Sequence, residues 1–269
     1  MDVYETATLL TEEKTIKSGH LGRDVVITCF LPKAVKDPAQ MGLLLINDGQ
    51  NMTELGLADI LDGLITGGRV QPLLCVAIHA GPERMMEYGT ASRPDYKGRG
   101  AKAPAYTAFV MEELLPFIHK SYEVASFREK SFAGFSLGGL SALDIVWNHP
   151  QEFTKLGLFS ASFWWRTKGL DDGYKEETDR IMHAQIREGG FYPWLKFFFE
   201  TGTQDEVMDR NNNGIIDSID DTLALIGELV AKGYDQETDI YYMELADGRH
   251  DIATWARAFP LFLKWGWGN

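Results

Sequence analysis

Cysteine is scarce in this chain: its 269 residues include two, Cys29 and Cys75. Each lies inside an apolar, β-branched run, DVVITCFL and LLCVAIH. A free thiol in such a setting acts as a small core hydrophobe, so no disulfide framework is expected. Also missing is any run of 18 consecutive apolar residues, which excludes a membrane-spanning helix of the ordinary kind. The opening Met-Asp-Val-Tyr-Glu has neither the basic nor the apolar region of a secretory signal. As written the chain reads as cytoplasmic, and as secreted or periplasmic if a signal was removed from it. Basic runs are absent too. With 26 Lys+Arg against 39 Asp+Glu the net charge is −13, and such a surface repels phosphate backbones and anionic membranes. Neither nucleic acid nor membrane is expected as a partner, and composition leaves the oligomeric state open. No repeat or low-complexity linker divides the sequence. Hydrophobic residues at 45% and charged residues at 24% are those of a packed globular protein, not of a disordered or collagen-like one.

What is present is a regular alternation of patterns. Arg23 to Leu31 alternates as a half-buried strand, and short apolar runs at Gly42–Asn47, Leu73–His79 and Lys130–Phe135 read as buried central strands. Helical spacing appears at Leu57–Thr66 and over Pro104–Lys120, where Tyr106, Phe109, Val110, Leu114 and Phe117 share a face. The run Lys155–Phe159, a helix around Lys175–Arg187, the run Leu195–Glu200, a helix Thr222–Lys232, the run Asp239–Leu245 and a helix Ile252–Lys264 complete the series. Strand–helix alternation of this kind predicts an α/β fold. Its sheet is mainly parallel, with helices on both faces and an antiparallel N-terminal hairpin turning at Gly19–Gly22. The chain reads as one domain over residues 1–269. Two polar stretches, Gly81–Ala103 and Asp171–Lys175, are expected over the carboxyl ends of the strands, where such folds place ligands.

Gly134-Phe135-Ser136-Leu137-Gly138-Gly139 matches GxSxG and stands between a buried strand and a helical run, Leu140–Asn148. In that setting the serine occupies a strained turn, and the glycines two positions away are needed because strand and helix backbones meet there. The helix N-terminus behind Ser136 favours developing negative charge, and the Leu137 amide points at an oxyanion. A nucleophilic serine needs a base that follows it in the chain. Of the six histidines, His149 and His250 lie after Ser136 in suitable places. His250, in a flexible Ala-Asp-Gly-Arg-His-Asp loop before the last helix, is the better candidate; His20, His79, His119 and His183 read as turn, strand-end or helix-surface residues. The acid belongs on the loop after Leu195–Glu200, where Asp205 comes first and Glu206 is its rival. Asp205 would accept the Nδ1 proton of His250 and stabilise the imidazolium.

These residues resemble the esterase D and enterochelin-esterase-like branch of the α/β-hydrolases, which includes feruloyl esterases and mycolyltransferases. The resemblance runs from about Gly22 to the C-terminus. It is carried by Ile-Asn-Asp-Gly-Gln-Asn at 46–51, Arg84 with Glu87-Tyr88, Glu-Leu-Leu-Pro at 113–116, the elbow at 134–139, Gly-Thr-Gln-Asp-Glu at 202–206 and Gly-Arg-His-Asp at 248–251. It implies an α/β-hydrolase fold and a second oxyanion donor, the amide of Gln50, beside that of Leu137. Asp48-Gly49 is itself a turn signal at a strand's carboxyl end. Arg84, Glu87 and Tyr88 are expected near the site mouth, their charges pairing to shape the loop. Phe163-Trp164-Trp165 follows the next strand, so Trp164 and Trp165 are candidate pocket residues, with packing the equal alternative.

Twelve residues from Asp209 to Asp220 reproduce an EF-hand loop. Oxygen ligands fall at Asp209, Asn211, Asn213, Asp217 and Asp220, with Gly214 at the sharp turn and a backbone carbonyl from Ile215. The last position carries Asp in place of Glu, as in dockerin loops. The expectation is a structural Ca²⁺ held in an insertion at about 207–221, keeping Asp205 in register; no organic cofactor is expected. Asp205, Glu206, Asp209, Asp217, Asp220 and Asp221 against Arg210 put over a third of the chain's excess negative charge in this short stretch, and a cation would relieve their repulsion. The leading functional reading is a serine esterase acting on a small-molecule or carbohydrate-linked ester through an acyl-enzyme on Ser136. The alternatives are an acyltransferase using the same three residues with an alcohol acceptor, and a non-catalytic carbohydrate-binding module.

Overall fold

The computed structural model describes residues 3–35 and 37–269. Nine strands form one sheet: β1 Val3–Glu5, β2 Leu9–Ser18, β3 Arg23–Pro32, β4 Gly42–Asn47, β5 Leu73–Ile78, β6 Lys130–Phe135, β7 Lys155–Phe159, β8 Lys196–Gln204 and β9 Ile240–Arg249. Their spatial order is β1-β2-β3-β5-β4-β6-β7-β8-β9. The hairpin turning at residues 19–22 joins β2 to β3, β1 adds a short strand outside it, and β3 meets β5 antiparallel. From β5 to β9 every pairing is parallel. The mainly parallel α/β sheet with its antiparallel N-terminal hairpin is therefore present. The reversal of order between β5, β4 and β6 sets the carboxyl ends of β4 and β6 side by side, the position in which open α/β sheets hold ligands.

Among the described residues six helices of eight residues or more cover the sheet: α1 Leu57–Thr66, α2 over residues 103–121, α3 Leu137–Asn148, α4 Ile181–Glu188, α5 Asp217–Lys232 and α6 Ile252–Trp267. The central strands are apolar at every position because successive side chains enter opposite cores. Leu43, Leu45, Val76, Phe132 and Leu156 face α2 to α5, whereas Leu44, Ile46, Cys75, Ala133 and Phe198 face α1 and α6. Cys29 and Cys75 are free, buried, and divided between the two cores. The second core contains an aromatic cluster: Phe259 lies within 6.0 Å of Phe135, Phe159 and Phe262, ring centre to ring centre. Among the described residues no helix is long and apolar enough to cross a membrane.

Several boundaries differ from the periodicity reading, each for a physical reason. Phe109–Leu114 in the middle of α2 is wound as a π-helix, just before Pro116, which has no amide to bond back to Glu112. The helix expected over Lys175–Arg187 is broken at Arg180. That residue is extended at φ −75°, ψ 111°, and its guanidinium is held 2.9 Å from the buried carboxylate of Asp221. His183, read as a helix-surface residue, is buried, and its Nε2–H donates to the Asp221 carbonyl at 2.9 Å. Strands β8 and β9 outrun their apolar patterns by four residues each, because ladder pairing continues to Gln204 and Arg249. His250 thus directly follows a strand instead of lying on a free loop.

Truncation of Phe259 leaves a cavity beneath the β6 and β7 ends. Phe259→Ala is expected to lower unfolding free energy by about 3–5 kcal/mol in urea titrations; a loss below about 1 kcal/mol would show that this aromatic layer does not support the strands.

Candidate active site

Ser136 sits at the turn from β6 into α3 with φ 53° and ψ −123°, a conformation that non-glycine residues adopt only when the surroundings enforce it. The enforcement is visible. Its amide donates to the Phe159 carbonyl at 2.9 Å, and its own carbonyl accepts from Ser162, Gly139 and Leu140. A Cβ at Gly134 would lie 2.3 Å from the Gly138 oxygen, and one at Gly139 would lie 2.8 Å from Cβ of Ala161, so strand and helix can touch only as glycine. Behind the elbow, Asn47 at the end of β4 donates from Nδ2 to the Gly138 carbonyl at 2.7 Å, and Tyr106 of α2 donates to Asn47 Oδ1 at 2.5 Å. All three positions are buried.

Gln50 and Leu137 each stand in the first turn of a helical segment. Asp48 caps the turn Gly49–Asn51, whose first internal bond comes from Asn51, and Leu137 is the first residue of α3. Neither amide has an acceptor within its own helix. Asp48, left-handed at φ 62°, fixes this turn by a two-pronged ion pair with Arg84, Nε to Oδ1 at 2.6 Å and Nη2 to Oδ2 at 2.7 Å. The Gln50 side chain is tied down on both sides, donating to Asp48 Oδ1 and accepting from the Ala80 amide. Arg84 and Glu87 do not pair with each other: Glu87 is buried and held by Arg23 at 2.6 and 2.7 Å. A cleft of about 550 Å³ opens beside Gln50, lined by Glu13, Thr28, Phe30, Met52 and His79 among others; none of Ser136, Asp205 and His250 lines it.

Asp205 and His250 leave the ends of β8 and β9, which are neighbours. The two ends touch backbone to backbone: a Cβ on Gly202 would fall 2.4 Å from the Gly248 carbonyl. Asp205 folds back so that Oδ2 accepts from the Gly202 amide at 3.1 Å. His250 faces solvent, its ring edge-on to Trp255 at 5.2 Å. The surrounding low-dielectric protein holds its imidazole below the ordinary value, against the pull of the Asp205 carboxylate and with a further push from Arg84. Burial raises the Asp205 carboxyl, opposed by the Gly202 amide and by His250. Ser136 Oγ lies 3.4 Å from Ser162 Oγ. Among the described residues no hydrogen bond joins Ser136 to His250, or His250 to Asp205.

A family model described as "Putative esterase" matches residues 18–265. The chain belongs to this esterase family. It is similar to the iron(III) enterobactin esterase of Dickeya dadantii, with 26% identity over 261 residues that make up 93% of this chain and 53% of that protein; it thus spans about half of that relative's length. A ferulic acid esterase structure superposes with a TM-score of 0.70 at 20% identity, covering 96% of this chain and 97% of the other. The enterobactin esterase of Shigella flexneri does so with a TM-score of 0.71 at 20% identity, covering 94% and 57%. At these identities the structures establish the α/β-hydrolase fold, in agreement with the esterase family.

Two further groups of expected site residues are the tryptophans after β7 and the acidic loop after β8. Trp165 is wholly buried against Gly89 and Gly100, and Trp164 is half-buried with the Arg99 guanidinium 4.8 Å above its ring. In the loop from Asp209 to Asp220, Asp209 accepts from the Asn213 and Gly214 amides, and Asn213 Oδ1 accepts from the Ile215 amide. The carboxylate of Asp220 accepts from the side-chain amides of Asn211 and Asn213, 3.2 Å each. Asp217 turns away to Arg210, which reaches it through both its backbone amide and its guanidinium. Among the described residues no three His, Cys, Asp or Glu side chains converge as a metal cluster. Sequence reasoning missed Asn47, Tyr106 and the buried acid Glu200; the only signal for each was a polar residue inside or beside an apolar run.

Gly202→Ala is expected to drive β8 from β9 and shift Asp205, whose Oδ1 lies 2.7 Å from the added Cβ. Unfolding free energy should fall by about 1–3 kcal/mol, and NMR titration should show a lower His250 pKa than in the parent. An unchanged imidazole titration would disconnect Asp205 from His250.

Proposed function

We propose that this protein hydrolyses carboxylic esters through an acyl-enzyme on Ser136, with His250 as base and Asp205 as its orienting acid. The observation that carries the reading is the strained Ser136 at a strand-to-helix turn, followed directly by the first-turn amide of Leu137; the first-turn amide of Gln50, just past the end of the adjacent strand β4, is read as the second donor. In the proposed cycle His250 takes the Ser136 proton as Oγ attacks the ester carbonyl. The tetrahedral oxyanion forms against the two amides, which need no reorganisation when charge appears. His250 then protonates the leaving alcohol, and water, activated by the same imidazole, releases the acid. The catalytic hydrogen bonds are expected to tighten when substrate is bound, as they commonly do on forming a Michaelis complex. Similarity to proteins named enterobactin esterase and ferulic acid esterase supports a small ester that carries an aromatic group as the substrate class. An alcohol in place of water would give acyl transfer by the same steps.

Ser136→Ala is expected to lower kcat/KM for p-nitrophenyl acetate by about a thousandfold or more and to abolish fluorophosphonate labelling; activity equal to the parent's would refute the assignment. Because neutral imidazole is the base and His250 lies below its ordinary value, kcat/KM should rise with pH along a limb centred under about 6.5. Asp205→Asn removes the carboxylate that favours the charged ring, so the limb should move to still lower pH while kcat falls.

A structural Ca²⁺ in the loop after Asp205 is part of the same proposal. The donor set, Asp209, Asn211, Asn213, Asp217, Asp220 and the Ile215 carbonyl, is all oxygen, as Ca²⁺ requires. Asn211, Asn213 and Asp220 already meet across the turn. Binding would draw the two asparagine oxygens inward and release Asp217 from Arg210. The ion would supply charge neutralisation and loop order and take no part in the chemistry. Millimolar Ca²⁺ is expected to raise the melting temperature over that in chelator, and Asp209→Ala to erase the difference; equal melting with Ca²⁺ and chelator would remove the ion from the proposal.

A further inference from the structure

Glu200 is a buried acid that the proposed reaction does not use. It lies on β8 in register with Phe159 of β7 and Met243 of β9, is 1% exposed, and neither carboxyl oxygen has a hydrogen-bond partner. Native proteins rarely leave such a group unpaired without a functional reason. Strand alternation puts its side chain on the face of Phe198 and of the Gly202 position. There Asp205 Oδ1 occupies the space a Gly202 side chain would fill, 2.7 Å from the ideal Cβ. That oxygen is also buried and unpartnered. Two orphan carboxyls therefore share one face of β8, two residue positions apart.

Ser160 influences both carboxyls. It follows Phe159, is held at φ 42°, and donates its amide to the Glu200 carbonyl at 2.8 Å. Its Oγ accepts from Trp255 Nε1 at 3.1 Å, so its own proton is free for one of the two carboxyls that it faces. Trp255 is also the ring on which His250 packs.

We propose that Glu200 is a positioning residue: as a neutral carboxylic acid it donates a hydrogen bond to Asp205 Oδ1, directly or through the Ser160 hydroxyl, and so fixes the carboxylate that serves His250. The proposal rests on the reading of Ser136, His250 and Asp205 given above. Two buried carboxyls on one face of a strand that sense each other's charge do not both ionise; one keeps a proton. Burial first, and then the Asp205 charge, push Glu200 up to about 8, so at neutral pH Glu200 is the protonated member. The other charged or titratable groups acting on this pair are Arg257 from α6, Asp251 and His250 from the turn between β9 and α6, and Tyr242 of β9 on the opposite face of the sheet. Arg257 is itself paired with Asp247 at the surface.

The test compares the wild type with Glu200→Gln, which keeps the volume and a donor, and Glu200→Leu, which keeps the volume and removes the donor. At pH 7 the Gln variant is expected within about threefold of wild-type kcat and the Leu variant at least about tenfold below it. In the wild type, ionisation of Glu200 breaks the donation, so kcat/KM should decline through about pH 8, and Glu200→Gln should lose that alkaline limb. Infrared difference spectra supply a readout free of turnover: the wild type should show a carboxylic-acid C=O stretch at pH 7 that Glu200→Gln lacks. Stability gives another. An acid kept neutral by the fold loses stability as pH rises from the ordinary Glu range to its folded value, so Glu200→Gln should gain melting temperature over the wild type across that window. A wild-type protein that labels with fluorophosphonate at Ser136, but whose pH profile is the same in Glu200→Gln, would overturn the role of Glu200 alone. Wild-type protein that fails to label would overturn the reading of the site and this role with it.

Discussion

A methyl group on Gly134 would lie 2.3 Å from the Gly138 oxygen, and one on Gly202 would lie 2.4 Å from that of Gly248. At both places peptide backbones meet with no side chain between them, and both lie at carboxyl ends of sheet strands. The first contact bends β6 into α3 sharply enough to lift Ser136 into its strained conformation. The second holds the ends of β8 and β9 together, so that the segments bearing Asp205 and His250 start from a common point. Everything else in the centre is arranged to keep these contacts closed: the aromatic layer under β6 to β8, the Asn47 bond to Gly138, and the Asp48–Arg84 pair at the end of β4.

The charge distribution follows the same plan. Acidic groups near the centre are either locked to a cation or denied one. Asp48 and Glu87 are each clasped by a guanidinium, which makes them rigid parts of the loop wall. Arg210 gathers Glu176, Asp217 and Asp221 on the far side of the acid loop. Asp205 and Glu200 have no such partner, and their surroundings raise both carboxyls. A carboxyl left without a cation near the imidazole at the β9 end can respond to the charge of that ring, whereas Asp48 is taken up by Arg84.

Much of this was legible in the sequence, because apolar periodicity reports two-sided burial directly. Gly42–Asn47, Lys130–Phe135, Lys155–Phe159 and Leu57–Thr66 fold with the boundaries that their patterns indicate. The turn around Ser136 was legible for another reason, since its glycines are demanded by close approach and stand at fixed spacing. Less legible were the polar struts. Asn47 meets Gly138 across 91 residues and Tyr106 across 59, and no periodic signal links positions so far apart. The strand ends were hidden as well: Thr201–Gln204 and Ala246–Arg249 carry no apolar alternation, yet the strands extend across an irregularity to pair again at Gln204 and Arg249. Glu200 read as the polar end of a strand because the pattern stops there, although the sheet does not. Arg180 ended a helix through a partner 41 residues away, which helix propensity alone does not reveal.

The most direct test is intact-protein mass spectrometry after brief mixing with an aryl ester that deacylates slowly. The mass should rise by one acyl group per chain, the modification should map to the peptide containing Ser136, and it should decay as free acid appears. Ester hydrolysis with no transient mass increase, or an acyl group found on another residue, would contradict nucleophilic catalysis by Ser136.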